Sequence, residues 1–196
     1  MIISDFYQTR IEASNYNVNI DSTDTVITVT LIDFNGAAVS GKSVTLTCNI
    51  GYFNKNGSTA ISGTTTKSIT ATTDSNGKIT ATWTASEWGL ATFSTSNSFQ
   101  PSHIQVNVTG WKSISVSVGT LLVNGEQRLA NYGYSKTGMP NGSIVTLPSP
   151  YRPKQMMMTI CHSSGGMRVT LDATGVVTIY GSDGSGTGLF NFVYNY

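Results

Sequence analysis

Apolar and polar residues alternate along most of this chain, and a period of two marks strands with one face in a core. Residues 24–32, DTVITVTLI, place Val26, Thr28, Thr30 and Ile32 on one face. Val44, Leu46 and Cys48 share a face in the next such segment, as do Ile79, Ala81 and Trp83 in KITATWT. Ile104, Val106 and Val108 repeat the pattern. Turn formers separate these runs: Phe34-Asn35-Gly36, Ser40-Gly41, Asn56-Gly57 and Asp74-Ser75-Asn76-Gly77. Short half-buried strands at this spacing predict an antiparallel sandwich. No window sustains a 3.6 period, so little helix is expected.

The pattern restarts around Thr109-Gly110-Trp111, where a boundary is placed, giving domains 1–109 and 111–196. Strands are expected over 114–118, 121–129 (turned by Asn124-Gly125), 142–147, 155–161, 167–171, 176–180 and 189–194. Asp172-Ala173-Thr174-Gly175 predicts a tight hairpin. The Gly-rich stretch 131–142 is expected to be a long loop. Residues 144–154, IVTLPSPYRPK, hold Pro148, Pro150 and Pro153, three of the five prolines. Each fixes φ, removes a donor and biases its predecessor to extended backbone, so the run reads as a stiff crossing between strands. The expected class is all-β: two sandwiches in tandem, the second smaller, antiparallel and jelly-roll-like. The second is marginal alone at its size, and oligomerisation would remedy that.

Composition narrows the function. Charged residues are 11% of the 196 and the net charge is +1, so no basic field is present to attract nucleic acid or anionic lipid. Abundant Thr, Ser, Asn and Gly suit turns and an uncharged polar surface, whether as plain outer faces or as a surface for sugars. No run approaches the ~18 apolar residues of a membrane span. MIISDFYQTR lacks a basic region followed by an apolar stretch, so no signal peptide is expected and the product is expected in the cytosol. Cys48 and Cys161, in different domains, are expected to stay unpaired.

Few residues suggest chemistry. His103 and His162 lack neighbours at metal-ligand spacing, and Cys161 and His162, adjacent on a strand, point to opposite faces. Of three Glu and seven Asp, Asp33, Asp74 and Asp172 read as turn formers; Asp183 with Glu126 has nothing to recommend it as a glycosidase pair. The loop at Asp183 precedes a strand, not the helix a phosphate loop requires. Asp21 and Asp24 lack the acidic density of a calcium loop. No catalytic residue, metal or cofactor is expected.

Binding residues are easier to nominate. Tyr151 could stack on a sugar and Arg152 donate a forked hydrogen bond, although the stiff prolines favour an architectural role for both. Tyr132 and Tyr134 are loop aromatics that either anchor a ligand or plug the sandwich end; Asn141 and His162 complete the candidate receptor-binding set. Met156-Met157-Met158 makes both faces of its strand apolar, as expected between a core and a partner subunit; Met156 and Met158 with Trp111 and Tyr194 are the candidate oligomer interface.

The first half resembles the group 1 bacterial immunoglobulin-like domain, the invasin and intimin repeat. The resemblance covers about residues 7–108 through Asp33-Phe34-Asn35-Gly36, Ala38-Val39-Ser40-Gly41, Val44-Thr45-Leu46, Gly51-Tyr52-Phe53, Thr73-Asp74-Ser75-Asn76-Gly77-Lys78 and Gly89-Leu90-Ala91-Thr92-Phe93. Ala38 departs from the proline frequent in that family. The second half is similar to terminal β-rich domains of phage tail-fibre and baseplate proteins, through Trp111, Val123-Asn124-Gly125, Thr146-Leu147-Pro148, Tyr151-Arg152-Pro153, the hairpins of 168–179 and the aromatic run 190–196. These resemblances imply a non-enzymatic virion protein, assembled in the host cytoplasm with other virion proteins. It would be oligomeric, with a trimer favoured, and would touch a host-surface saccharide or protein. Alternatives are a capsid or tail decoration protein, which a large flat apolar face would favour, and a cellular adhesin fragment. A depolymerase is opposed by the sparse carboxylates.

Overall fold

The computed structural model describes residues 7–95, 102–160, 167–182, 184 and 187–196. It divides into two compact units, Met1–Gly110 and Trp111–Tyr196. Among its described residues the first holds ten strands: β1 (Gln8–Ala13), β2 (Asn17–Asn19), β3 (Thr25–Ile32), β4 (Ser43–Cys48), β5 (Tyr52–Asn56), β6 (Thr59–Ala60), β7 (Ser68–Thr72), β8 (Lys78–Thr84), β9 (Gly89–Thr95) and β10 (His103–Thr109). They form two five-stranded sheets, β1-β3-β8-β5-β6 and β2-β10-β9-β4-β7. Consecutive β1 and β2 thus join different sheets, β1 antiparallel to β3 and β2 parallel to β10. Two sheets over one core make an immunoglobulin-like sandwich.

Alternation decides what fills that core. Ile27, Val29 and Leu31 of β3 and Ile79, Ala81 and Trp83 of β8 are buried, as are Val44 and Leu46 of β4, Phe93 of β9 and Val106 and Val108 of β10. Trp83 meets Phe93 edge-on at 5.1 Å and donates its Nε1–H to Ile50 O at 3.1 Å, so its one polar atom is satisfied inside. Asp33 and Asp74 close turns as their spacing predicts. Each Oδ1 accepts two backbone amides: Asn35 and Ala37 at 2.9 and 2.8 Å, Asn76 and Lys78 at 2.8 and 2.9 Å.

The second unit holds β11 (Lys112–Ile114), β12 (Thr120–Asn124), β13 (Leu129–Thr137), β14 (Gly142–Thr146), β15 (Met157–Ile160), β16 (Arg168–Leu171), β17 (Val176–Tyr180) and β18 (Thr187–Asn195). Its sheets are β11-β12-β13-β18 and β14-β17-β16-β15, all antiparallel. Leu121, Val123, Ala130, Tyr132, Phe190, Phe192 and Tyr194 from the first, and Val145, Val169, Leu171, Val177 and Ile179 from the second, are buried. In the second sheet β15, β16 and β17 follow one another while β14 lies beside β17, a Greek key. The proline run is its long connection.

That run is not extended throughout. Ser149–Tyr151 forms one 3-10 turn, with Pro148 at its N-cap and the Tyr151 amide on Pro148 O at 2.9 Å. Proline is tolerated there because the first turn leaves its amides without internal partners. The Gly-rich stretch also departs from expectation: residues 129–137 are the nine-residue strand β13, central in its sheet. Its pairing with β12 on one side and β18 on the other outweighs the cost of Gly133, which faces Thr120 and Asn191.

Candidate functional site

The residues nominated for receptor binding do not form one site. Tyr132 is fully buried and donates its hydroxyl to Val118 O at 3.0 Å, so its docking role is withdrawn. Burial pushes that hydroxyl's pKa up, consistent with a fixed core donor. Tyr134, on the same strand, is half-buried and lies edge-on to Phe190 at 5.9 Å. With Gly119, Thr120, Ser135 and Leu189 it borders a shallow depression of about 480 Å³. Asn141 is exposed just ahead of β14. His162 lies outside the described residues, as does Cys161.

Tyr151 and Arg152 are architectural. Arg152 Nε donates to Leu147 O at 3.0 Å, five residues back across the 3-10 turn. Its aliphatic stem lies so close to Gly175 that a Cβ there would fall 2.8 Å from Arg152 Cγ. Gly175, at φ 86°, therefore both closes the β16–β17 hairpin and seats the arginine. Tyr151 accepts the Tyr194 hydroxyl on its carbonyl at 2.8 Å and meets the Tyr196 ring edge-on at 5.2 Å. Tyr134 thus packs on Phe190 while Tyr151 meets Tyr194 and Tyr196, four and six residues further along the chain, about 13 and 20 Å in extended backbone. Tyr134 and Tyr151 are not two walls of one pocket.

The interface set separates too. Tyr194 is buried with its hydroxyl bonded inside the unit, so it is a core residue and not a contact for a second chain. Trp111 is exposed. Met156 and Met158 are exposed, and sequence reasoning missed their companions Ile160, Leu189 and Val193. All five are between 55% and 73% exposed, unusual for large apolar side chains. Met158 and Ile160 are on β15 and Leu189 and Val193 on β18; each strand is the last of its sheet, and the two edges lie beside each other. The signal for β18 is in TGLFNFVYN: Phe190, Phe192 and Tyr194 take the inner face, which leaves Leu189 and Val193 outside. Across the sheet from Ile160 the outer face continues through Arg168 to Tyr180, with the guanidinium 4.6 Å above the ring.

Several other titratable groups are committed to structure. Asp172 Oδ1 accepts the Thr174 hydroxyl at 2.7 Å and the Thr174 and Val176 amides at 2.9 and 3.0 Å. Glu12 and Glu87 pair on the surface with Arg10 and Lys67. Burial pushes the Cys48 thiol up to about 11, which keeps it protonated and poorly nucleophilic at neutral pH. Among the described residues no three His, Cys, Asp or Glu converge as metal ligands, and no helix is long and apolar enough to cross a membrane.

No protein-family model matches the chain, and no curated protein sequence is similar to it. Among solved structures it is similar to the adhesin InvE of Yersinia pseudotuberculosis, at 16% identity and a TM-score of 0.41, over 96% of this chain and 59% of that one. It is also similar to the D0-D1 domain of intimin, at 15% identity and a TM-score of 0.39, over 96% of this chain and 90% of that one. The chain thus spans less than two thirds of the InvE structure.

Proposed function

We propose that this chain is a non-enzymatic structural and attachment protein of a bacteriophage particle. Its second unit joins copies of itself, and the assembly holds a host surface by many weak contacts. The observation that carries the assembly is the set of exposed, uncharged apolar side chains Met158 and Ile160 on β15, Met156 just ahead of it, and Leu189 and Val193 on β18, the last strands of their two sheets. Edge strands are ordinarily blunted with charge, proline or a bulge, and Met156–Ile160 holds neither a charged residue nor a proline. The motifs from Trp111 to the aromatic final strand support a virion location, and joined copies would gain avidity without a strong single site.

A second reading, decoration of a capsid or tail, is favoured by a specific observation. The exposed apolar side chains sit on strand edges, whereas the Tyr- and Asn-rich segment expected to be a recognition loop is largely strand.

Sedimentation of the full chain at tens of micromolar tests the assembly. Association is expected, with monomer from a variant carrying Met158→Lys and Val193→Lys. A clean monomer from the unaltered chain removes the strip as an assembly surface. Binding to intact host cells then separates the readings: binding supports attachment, while its absence with stoichiometric presence along the particle supports decoration.

A further inference from the structure

We infer that the first unit carries its own binding cleft for a neutral saccharide, formed where β1 hands over to β2 and where β2 leads into β3. The cleft has a volume of about 680 Å³ and is lined by residues of the segment 14–25 together with Thr109. Its volume lies within the range of small-molecule sites. This inference adds a ligand class to the attachment reading and rests on it for its biological use, but it lies in the other unit and shares no residue with the apolar strip.

The chemistry of the walls selects the ligand. Asn15, Asn17, Asn19, Asp21 and Asp24 supply planar amides and carboxylates, and the Ser22 hydroxyl stands among them. Among the lining residues there is no Lys or Arg, and two carboxylates are present, so the lining itself offers no cation to a phosphate, sulfate or acidic sugar. The two apolar lining residues, Val18 and Ile20, are buried in the sandwich core, so the walls offer little to a lipid or apolar peptide. What remains is a neutral molecule rich in hydroxyls, whose donor–acceptor pairs match planar side-chain groups that donate and accept together. Tyr16, between two lining residues, is 46% exposed and its hydroxyl accepts the Ala13 amide at 3.3 Å, so a partly open ring is fixed next to the lining in sequence.

The frame is set before any ligand arrives. The Asn17 amide donates to Asn15 Oδ1 at 3.0 Å, and the Asn107 amide to Tyr16 O at 2.9 Å. The Ile20 amide reaches Thr109 O at 2.8 Å, and the Asp21 amide reaches Ala85 O at 2.6 Å. The Val26 amide is held by Ser14 Oγ at 3.0 Å, and Asp24 Oδ1 accepts the Ser22 hydroxyl at 3.0 Å. These bonds tie the cleft's segment to β3, β8, β10 and their flanks, so little ordering is left for binding to supply.

The test is saturation-transfer NMR on the full chain with three probes, linear trisaccharides of glucose, of mannose and of galactose. Transfer to at least one probe is expected, and Asn17→Ala and Asp24→Ala should each weaken it about tenfold or more, the effect of losing one hydrogen bond to a charged or well-placed group. Both positions are exposed, so the variants should fold, Asp24→Ala losing only the surface bond from the Ser22 hydroxyl. Should either fail to fold, shifts of the Asn17 and Asn19 side-chain amides in the unaltered chain on adding the probe give the same answer. The inference is overturned by no transfer from any probe, by transfer that both variants leave intact, or by uptake of calcium at Asp21 and Asp24 without saccharide binding. Sedimentation reads assembly separately, so a failure here is distinct from a failure of the apolar strip.

Discussion

Gly51 sits against the largest side chain of the first core. Its φ is 68°, and a Cβ there would lie 2.4 Å from both Thr84 O and the Trp83 indole. Gly57 has a similar φ of 59° but opens onto space. The pair separates two costs. Gly57→Ala should lose only the left-handed backbone penalty, about 1–2 kcal/mol. Gly51→Ala should add an overpacking cost of about 1–3 kcal/mol, because backbone and a fully buried ring cannot move aside. Denaturant melts of both variants measure the difference; equal losses would mean that Trp83 shifts freely. Alternation made Trp83 legible as core from the sequence, but its contact with Gly51 joins residues 32 positions apart and leaves no local trace. The same limit explains Tyr132. Its glycine and asparagine neighbours suggest a loop, whereas strands β12 and β18, arriving from either side, make it the centre of a sheet.

The element most completely written in the sequence is the β16–β17 hairpin. Asp172 follows the last residue of β16, Gly175 supplies the left-handed residue, and the carboxylate gathers the turn's donors. The Thr174 hydroxyl first, then the Val176 amide, hold the Asp172 carboxyl below the usual carboxylate range. Asp74 is lowered in the same way, first by the Lys78 amide and then by Asn76. A lowered folded pKa binds fewer protons than the unfolded chain, so these turns add stability that is fully present above the ordinary value near 4 and disappears as pH falls through the folded value. Asp172→Asn should therefore melt lower near neutral pH and show a shallower loss between about pH 5 and 2. A melting profile as steep as that of the unaltered chain would place the acid sensitivity elsewhere. The proline run was half legible. Its stiffness and its role as connector follow from fixed φ angles, but the seat of Arg152 depends on Gly175, over twenty residues away, and the 3-10 turn leaves no periodic signal.

At the scale of the molecule, each unit closes its own core, and what distinguishes the second is the apolar material left outside. The alternation of 187–195 carries which face of β18 is inward, although the sequence reading places Tyr194 at an interface; it does not carry that β15 and β18 are neighbouring edges, because that depends on the Greek key and on the order of sheets. The four exposed apolar side chains on these strands, with Met156 just ahead of β15, carry no charge, and this fixes how association should respond to salt. An interface built on ion pairs weakens as the Debye length falls from about 10 Å at 0.1 M to about 3 Å at 1 M. An apolar one keeps its strength, and sulfate strengthens it by exclusion from the surface. Light scattering of the full chain from 0.1 to 1 M sodium chloride should show unchanged association, with an increase in ammonium sulfate. Dissociation by sodium chloride alone would shift the interface from the strip to the sparse charges, of which Arg168, already stacked over Tyr180 on that face, would be the first to examine.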